Sequence, residues 1–101
     1  MSLTEMLPET DGRGFIFTNR GNVQHYRCKG VDGLLVATTR DAASKLVKRF
    51  RQNGIKLSIA EVGTLAGETL WPHWLAAKRT GAEGIYVTSD GETLDYYEDA
   101  A

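Results

Sequence analysis

Apolar and polar positions alternate with a period of two near the beginning of the chain, which is typical of β-strands. An aromatic and β-branched run at residues 15–18 and an alternating run at 23–28 flank the turn-forming residues 19–22. Such runs around a glycine-containing turn predict a β-hairpin. The continuous apolar run at 34–37 then predicts a central strand that is buried on both faces.

The pattern changes to a helical period after residue 39. Four apolar residues fall at positions i, i+3, i+4 and i+7 and form one stripe, namely Ala43, Leu46, Val47 and Phe50. Thr38 with Asp41, or Thr39 itself, is a suitable N-cap, and Asn53-Gly54 supplies a glycine for the position after the helix. We therefore predict an amphipathic helix over residues 40–52, followed by a strand that ends near Val62.

A second helix and a second hairpin follow. Thr69 is a suitable cap for this helix, and Pro72 suits its first turn, where the N–H that proline lacks is not needed. Farther along, two β-branched and aromatic runs flank Asp90-Gly91. Since Asp-Gly between such runs is a strong hairpin signal, the chain is expected to end in a second hairpin.

The predicted elements follow one another in the order βββαβαββ. Strands gather at both ends of the chain and the helices lie between them, which favours an α+β fold. We expect a mixed, mostly antiparallel sheet with both helices packed on one face. Residues 1–12 contain Pro8 and show no period, so we predict a flexible N-terminal arm at 1–12 and a single α+β domain at 13–101.

The composition is that of one ordinary globular domain, with 101 residues of which 42% are hydrophobic and 25% are charged. No apolar run approaches the ~20 residues that span a bilayer. Cys28 is the single cysteine, so no internal disulfide can form, which favours a reducing compartment. Together these features lead us to expect a cytoplasmic protein that does not associate with membranes.

Opposite charges are concentrated in different parts of the chain, although the net charge is only −1. The helix predicted at 40–52 is basic, and the C-terminal segment 90–99 is acidic. The candidate binding residues on this helix are Lys45, Lys48, Arg49 and Arg51. Three interpretations are open: a solvated helix face, a face that binds nucleic-acid phosphates, or a face that binds an acidic protein partner or the acidic end of the same chain or a second copy.

Two tryptophans and a histidine stand close together on the second predicted helix. Trp71 and Trp74 are three residues apart and therefore share a face, with His73 beside them. Both tryptophans can cover the sheet as core residues, or one can stay exposed as a contact for a protein partner or small ligand. Trp71, His73 and Trp74 are therefore further candidate binding residues, and a small-molecule or enzyme site near His73 would require a pocket there.

No motif in the sequence indicates catalysis, a metal or a cofactor, and we expect no cofactor. His25 and Cys28 lie three residues apart on a predicted strand and so point to opposite faces, whereas zinc needs four converging ligands. The glycine-rich segments match no nucleotide-binding loop. The leading hypothesis is a non-enzymatic protein-interaction domain with an adaptor or regulatory role. The alternatives are weak nucleic-acid binding through helix 40–52 and a small-molecule or enzyme site near His73.

Overall fold

The computed structural model describes residues 14–63 and 70–98, so the arm predicted at 1–12 lies outside the described residues. The strands are β1 (Gly14–Asn19), β2 (Asn22–Val23), β3 (His25–Cys28), β4 (Val31–Ala37), β5 (Ser58–Gly63), β6 (Gly84–Thr88) and β7 (Asp95–Glu98), and the helices are α1 (Arg40–Gln52) and α2 (Trp71–Arg79). The α+β class is confirmed. The predicted element order is also confirmed, except that the strand expected at 23–28 is broken at Gln24.

All seven described strands belong to one mixed sheet. The strands β5, β1, β4, β6 and β7 lie side by side in that order, with β2 and β3 attached to β1 and β4. Among these pairs, β4 and β6 are parallel and the others are antiparallel. The prediction of a mostly antiparallel sheet is therefore confirmed.

The sheet is forked between β1 and β4. These two strands pair only at one end, where Phe15 lies opposite Ala37 and Ile16 opposite Val36. Beyond that point β1 pairs with β2, and β4 pairs with β3. Gln24 lies at the branch point, where its N–H donates to the Phe17 carbonyl at 2.7 Å and its carbonyl accepts from the Leu35 N–H at 3.4 Å. The chain therefore runs along β2 toward the branch point, reverses direction at Gln24 and runs away from the branch point along β3.

Each arm of the fork is a tight hairpin. The two connections are Arg20-Gly21, with φ angles of 54° and 82°, and Lys29-Gly30, with φ angles of 52° and 81°. Positive φ at both central residues is the signature of the type I′ turn, whose twist matches that of paired strands. The β1–β2 arm and the β3–β4 arm are therefore both closed by two-residue turns.

The two helices cover opposite faces of the sheet, so the prediction that both pack on one face is wrong. In β1, Ile16 points to the core beneath α2, whereas Phe15 and Phe17 point to the core beneath α1. The α2 core contains Ile16, Leu34, Val36, Val62, Leu70, Trp74, Ala77, Ala82, Ile85 and Val87. The α1 core contains Phe15, Phe17, Leu35, Ala37, Ala42, Ala43, Leu46, Phe50, Leu57 and Tyr86.

Two physical reasons explain this arrangement. The central strands are apolar at consecutive positions, so both of their faces must be covered. In addition, β4, β5 and β6 run in the same direction. The connection from β4 to β5 contains α1 and crosses the sheet in one direction, and the connection from β5 to β6 contains α2 and crosses it in the other. Such connections are right-handed in about 98% of cases, and two that cross in opposite directions then lie on opposite faces.

Both helices begin where local chemistry allows it. The Thr39 side chain accepts a hydrogen bond from the Ala42 N–H at 3.1 Å, so of the two predicted alternatives Thr39, not Thr38, is the cap of α1. In α2 the N-cap position is held by Leu70 rather than by Thr69, and Leu70 makes no side-chain cap bond. Pro72 in the first turn lessens the need for one, because it has no N–H to satisfy. Neither α1 nor α2 is long and apolar enough to cross a membrane.

Candidate functional site

The predicted binding residues fall on two separate surfaces. Lys45, Lys48, Arg49 and Arg51 are all exposed on α1. Trp71, His73 and Trp74 lie on α2, which covers the opposite face of the sheet. The basic helix and the tryptophan helix therefore do not form a common site.

The two tryptophans have different environments. Trp74 is only 1% exposed and belongs to the α2 core, whereas Trp71 is 41% exposed. His73 is half-buried between them. Trp74 is therefore a core residue, and of the two tryptophans Trp71 alone is accessible to a partner.

The acidic segment meets α1 within the same chain, but through backbone atoms rather than carboxylates. Gly91 packs so closely on α1 that an added methyl group would lie 2.5 Å from Cβ of Lys45 and 3.0 Å from the Ala42 carbonyl. Arg49 donates from Nη1 to the Glu92 carbonyl at 3.1 Å. Among residues 90–98, no carboxylate forms an ion pair with a cation of α1.

Asp90 organises the loop that makes this contact. Its Oδ1 accepts hydrogen bonds from the backbone N–H groups of Glu92 and Thr93, both at 2.8 Å, and from the Thr88 hydroxyl at 3.3 Å. These bonds favour the charged carboxylate and so hold the pKa of Asp90 below its ordinary value, and the bond from the Thr93 N–H has the largest effect. This part of the acidic end thus has a structural role within the chain.

Two adjoining clefts lie beside the C-terminal end of α1. The first, which we call the arginine cleft, has a volume of about 390 Å³ and is lined by Gln24, His25, Tyr26, Arg27, Arg49, Phe50, Asn53 and Ile55. The second has a volume of about 560 Å³ and is lined by Asn19, Arg20, Asn22, Gly54, Ile55 and Lys56. The two share Ile55, and no carboxylate lines either of them.

The arginine cleft combines an apolar floor with cations and amides. The rings of Tyr26 and Phe50 lie with their centroids 6.4 Å apart and form part of the floor. Arg27, whose side chain is 70% exposed, comes from β3, and Arg49 comes from α1. Guanidinium groups bind carboxylates and phosphates with well-defined geometry, so the cleft suits an anionic ligand that also carries apolar groups.

The sequence prediction identified only Arg49 among the residues of this cleft. Arg27 and Tyr26 were seen only as alternating positions of a hairpin strand. Tyr26 contacts Phe50 of α1 and Arg27 lines the same cleft because the fork directs β3 toward the end of that helix, which depends on pairing between distant strands. The one signal in the sequence was a cation next to an aromatic residue on a strand whose partner strand is largely apolar.

A second group of polar side chains lies on the α2 side of β3, and one of its members, His25, also lines the arginine cleft. Nδ1 of His25 lies 3.0 Å from Oδ1 of Asp32, and Nε2 of His25 lies 2.9 Å from the Thr80 hydroxyl. This hydroxyl–imidazole–carboxylate chain has the composition of a nucleophilic triad. Sequence patterns do not indicate this chain of bonds, because its members belong to β3, β4 and the end of α2.

The surroundings of Thr80 indicate a structural clamp rather than a nucleophile. Its hydroxyl donates to the carbonyls of Ala76 and Ala77, 3.2 and 3.0 Å away. A nucleophilic site also needs N–H groups directed at a developing oxyanion. The backbone N–H groups of the segment that begins at Thr80 are already bonded to carbonyls, namely those of Thr80, Gly81, Ala82 and Glu83. The chain of bonds therefore fastens the β3–β4 arm to the C-terminal end of α2.

Within residues 14–63 and 70–98, no three His, Cys, Asp or Glu side chains are grouped as a metal site would require. Comparison of the chain with protein-family models, with curated proteins and with solved structures found no match. The chemistry of the arginine cleft is therefore the basis for a functional proposal.

Proposed function

We propose that the protein is a small non-enzymatic interaction domain that binds an acidic segment of a partner protein in the arginine cleft. One observation carries this proposal: two arginines from different elements flank an apolar floor, and no carboxylate lines the cleft. Aromatic residues and arginine are the side chains most enriched at energetically important interface positions. The second cleft extends the same surface with Arg20 and Lys56.

Both arginines can bind a carboxylate of a partner. Arg49 donates to a carbonyl oxygen, which carries no full charge that a ligand would have to displace. Arg27 lies 3.9 Å from Oδ2 of Asp32, a long separation for an ion pair, and the other oxygen of that carboxylate is 3.0 Å from His25. A bidentate carboxylate would therefore gain charge-assisted hydrogen bonds at either guanidinium.

A protein segment suits this surface better than a long nucleic acid. The loop that carries Asp90 and Glu92 lies beside the basic helix, and both of these carboxylates are exposed. A polyanion that followed α1 would meet them and be repelled, whereas a short acidic segment can stay within the cleft. The net charge of −1 also provides little of the general attraction on which nucleic-acid binding depends.

The test is selection from a display library of short random peptides on the immobilised protein. We expect enrichment of sequences in which aspartate or glutamate is interspersed with apolar residues. The variant R27E/R49E should bind the selected peptides at least about tenfold more weakly, because two attractive contacts become repulsive. The control is Arg51→Glu, which makes the same charge reversal on α1 as Arg49→Glu but outside the cleft, and it should leave binding nearly unchanged.

Two outcomes would contradict the proposal. One is the absence of enriched peptides, or enrichment that R27E/R49E does not reduce. The other is binding of a short single-stranded oligonucleotide that falls steeply with salt and depends on Arg27 and Arg49, since that behaviour marks a phosphate-binding surface.

A further inference from the structure

One edge of β3 faces the arginine cleft. The cleft is lined by the four consecutive residues 24–27. Successive side chains of a strand point to opposite faces of the sheet, so a cavity that touches all four must lie along the edge of the strand. Tyr26 faces α1, where it meets Phe50, and His25 faces α2, where it meets Thr80.

The fork leaves this edge without a partner strand. β3 pairs with β4 on one side, and β2 leaves with β1 instead of continuing alongside β3. No strand among the described residues pairs with the other side of β3. An unpaired edge of this kind is a template for the addition of another strand.

The hydrogen-bond pattern shows which backbone groups face the cleft. The Leu35 N–H donates to the Gln24 carbonyl, so Gln24 and Leu35 form a hydrogen-bonded pair of the antiparallel ladder. Such pairs alternate along the strands, and the groups of the intervening residues point outward. The N–H and C=O groups of His25 and Arg27 therefore point away from β4 and toward the cleft.

Gln24 already bonds to one of these groups. Its Nε2 donates to the His25 carbonyl at 2.6 Å, in the position that an N–H of an added strand would otherwise occupy. No described residue bonds to the N–H of His25 or to either backbone group of Arg27, so these groups are open to a ligand. Buried backbone groups need partners, so a ligand that covers this edge must supply them.

We infer that the acidic segment binds as an added β-strand along the edge of β3, a mode that rests on the proposed function of the arginine cleft. Backbone hydrogen bonds to His25 and Arg27 hold the segment, and its side chains alternate between the two faces. Residues on the α1 side contact the floor formed by Tyr26 and Phe50 and can reach Arg49. The residue opposite Arg27 lies on the other face, where a carboxylate is favoured.

The test uses a blocked peptide of alternating valine and glutamate as the probe. Two further versions carry N-methyl groups on the amide nitrogens of the valines alone or of the glutamates alone. In an added strand one set of amides bonds to β3 and the other faces solvent, so the two versions should differ in affinity by at least about tenfold. Both versions carry similar methylation, which makes each the control for the other.

Hydrogen exchange gives a residue-specific second measurement. On addition of the unmethylated peptide, the amide protons of His25 and Arg27 should exchange at least about tenfold more slowly, because they become hydrogen-bonded. The amide of Gln24, which already donates to Phe17, serves as the internal control and should change little.

The possible outcomes separate this inference from the proposed function. Equal affinities of the two methylated peptides, with binding that R27E/R49E still abolishes, would overturn strand addition and leave the acidic-segment function standing. Tighter binding of a helix-favouring leucine–glutamate peptide of equal charge would do the same. If no acidic peptide binds, both the inference and the proposed function fail.

Discussion

At the residue scale, Asp90 shows that an exposed carboxylate in an acidic segment can have a defined structural task. One of its oxygens accepts backbone hydrogen bonds from Glu92 and Thr93 and so fixes the loop between β6 and β7. Because these donors stabilise the charged form, the pKa of Asp90 is lower in the folded chain than its ordinary value.

This lowered pKa gives a pH dependence whose sign can be stated. The stabilising effect of Asp90 is fully present above its unfolded-state pKa and is lost as the pH falls through the lower pKa of the folded state. We expect Asp90→Asn to flatten the acid limb of a plot of unfolding free energy against pH, measured by urea denaturation. Asp95→Asn also removes one exposed carboxylate and is the control. If Asp95→Asn flattens the acid limb as much as Asp90→Asn does, the assignment to Asp90 is contradicted.

At the scale of elements, the loop between β6 and β7 is fitted closely to α1. Gly91 has a φ of +79° and lies against Lys45 and Ala42, whereas Gly54 has a φ of +83° with no atom within 4 Å of where a Cβ would stand. The two glycines therefore share a backbone requirement but differ in the space around them.

Substitution of these two glycines separates the two effects. Gly54→Ala should lower the free energy of unfolding by about 1–2 kcal/mol, which is the cost of a left-handed conformation for a residue with a Cβ. Gly91→Ala should lower the free energy of unfolding by about 1–3 kcal/mol more than Gly54→Ala does, because its methyl group also forces α1 and the loop apart. Urea denaturation of both variants checks this, and equal losses would show that the loop is not closely packed on α1.

Elements whose formation depends on nearby residues could be predicted from the sequence. Helix α1 was predicted with its observed bounds because the apolar spacing and the Thr39 cap are both local. The break at Gln24 could not be predicted, since it arises where β1 pairs with β4 and excludes β2 and β3. Arg27 was not among the predicted residues for the same reason, because only the fork places it in the cleft that Arg49 also lines.

At the scale of the whole molecule, the central strands serve two cores at once. Leu46 of α1 and Trp74 of α2 are both buried, on opposite faces of the same sheet. The part of the fold that was predicted wrongly is the packing of the helices, which were expected on one face and lie on opposite faces. Apolar residues at consecutive strand positions were the available signal, because they imply that both faces are covered.

Because both cores share one sheet, we expect that a destabilising substitution in one core also lowers the stability of the other. Leu46→Ala should lower the free energy of unfolding by about 2–5 kcal/mol. In a Trp71→Phe background, the fluorescence of Trp74 should report this loss at the same urea concentration as the circular dichroism of the backbone. Separate transitions would show that the two faces unfold independently, and Ser44→Ala, an exposed change on α1, is the control.

In the forked sheet, the β3 edge that we propose as a binding edge can change in length without a change in the parts that stabilise the fold. The β3–β4 arm ends in the turn at Lys29-Gly30, away from the ladder between β1 and β4. Residues inserted in matched pairs on either side of that turn would extend the arm and keep the inward and outward order of its side chains. If the edge of β3 binds a segment as proposed, such insertions should let it bind a longer segment, while both cores stay unchanged.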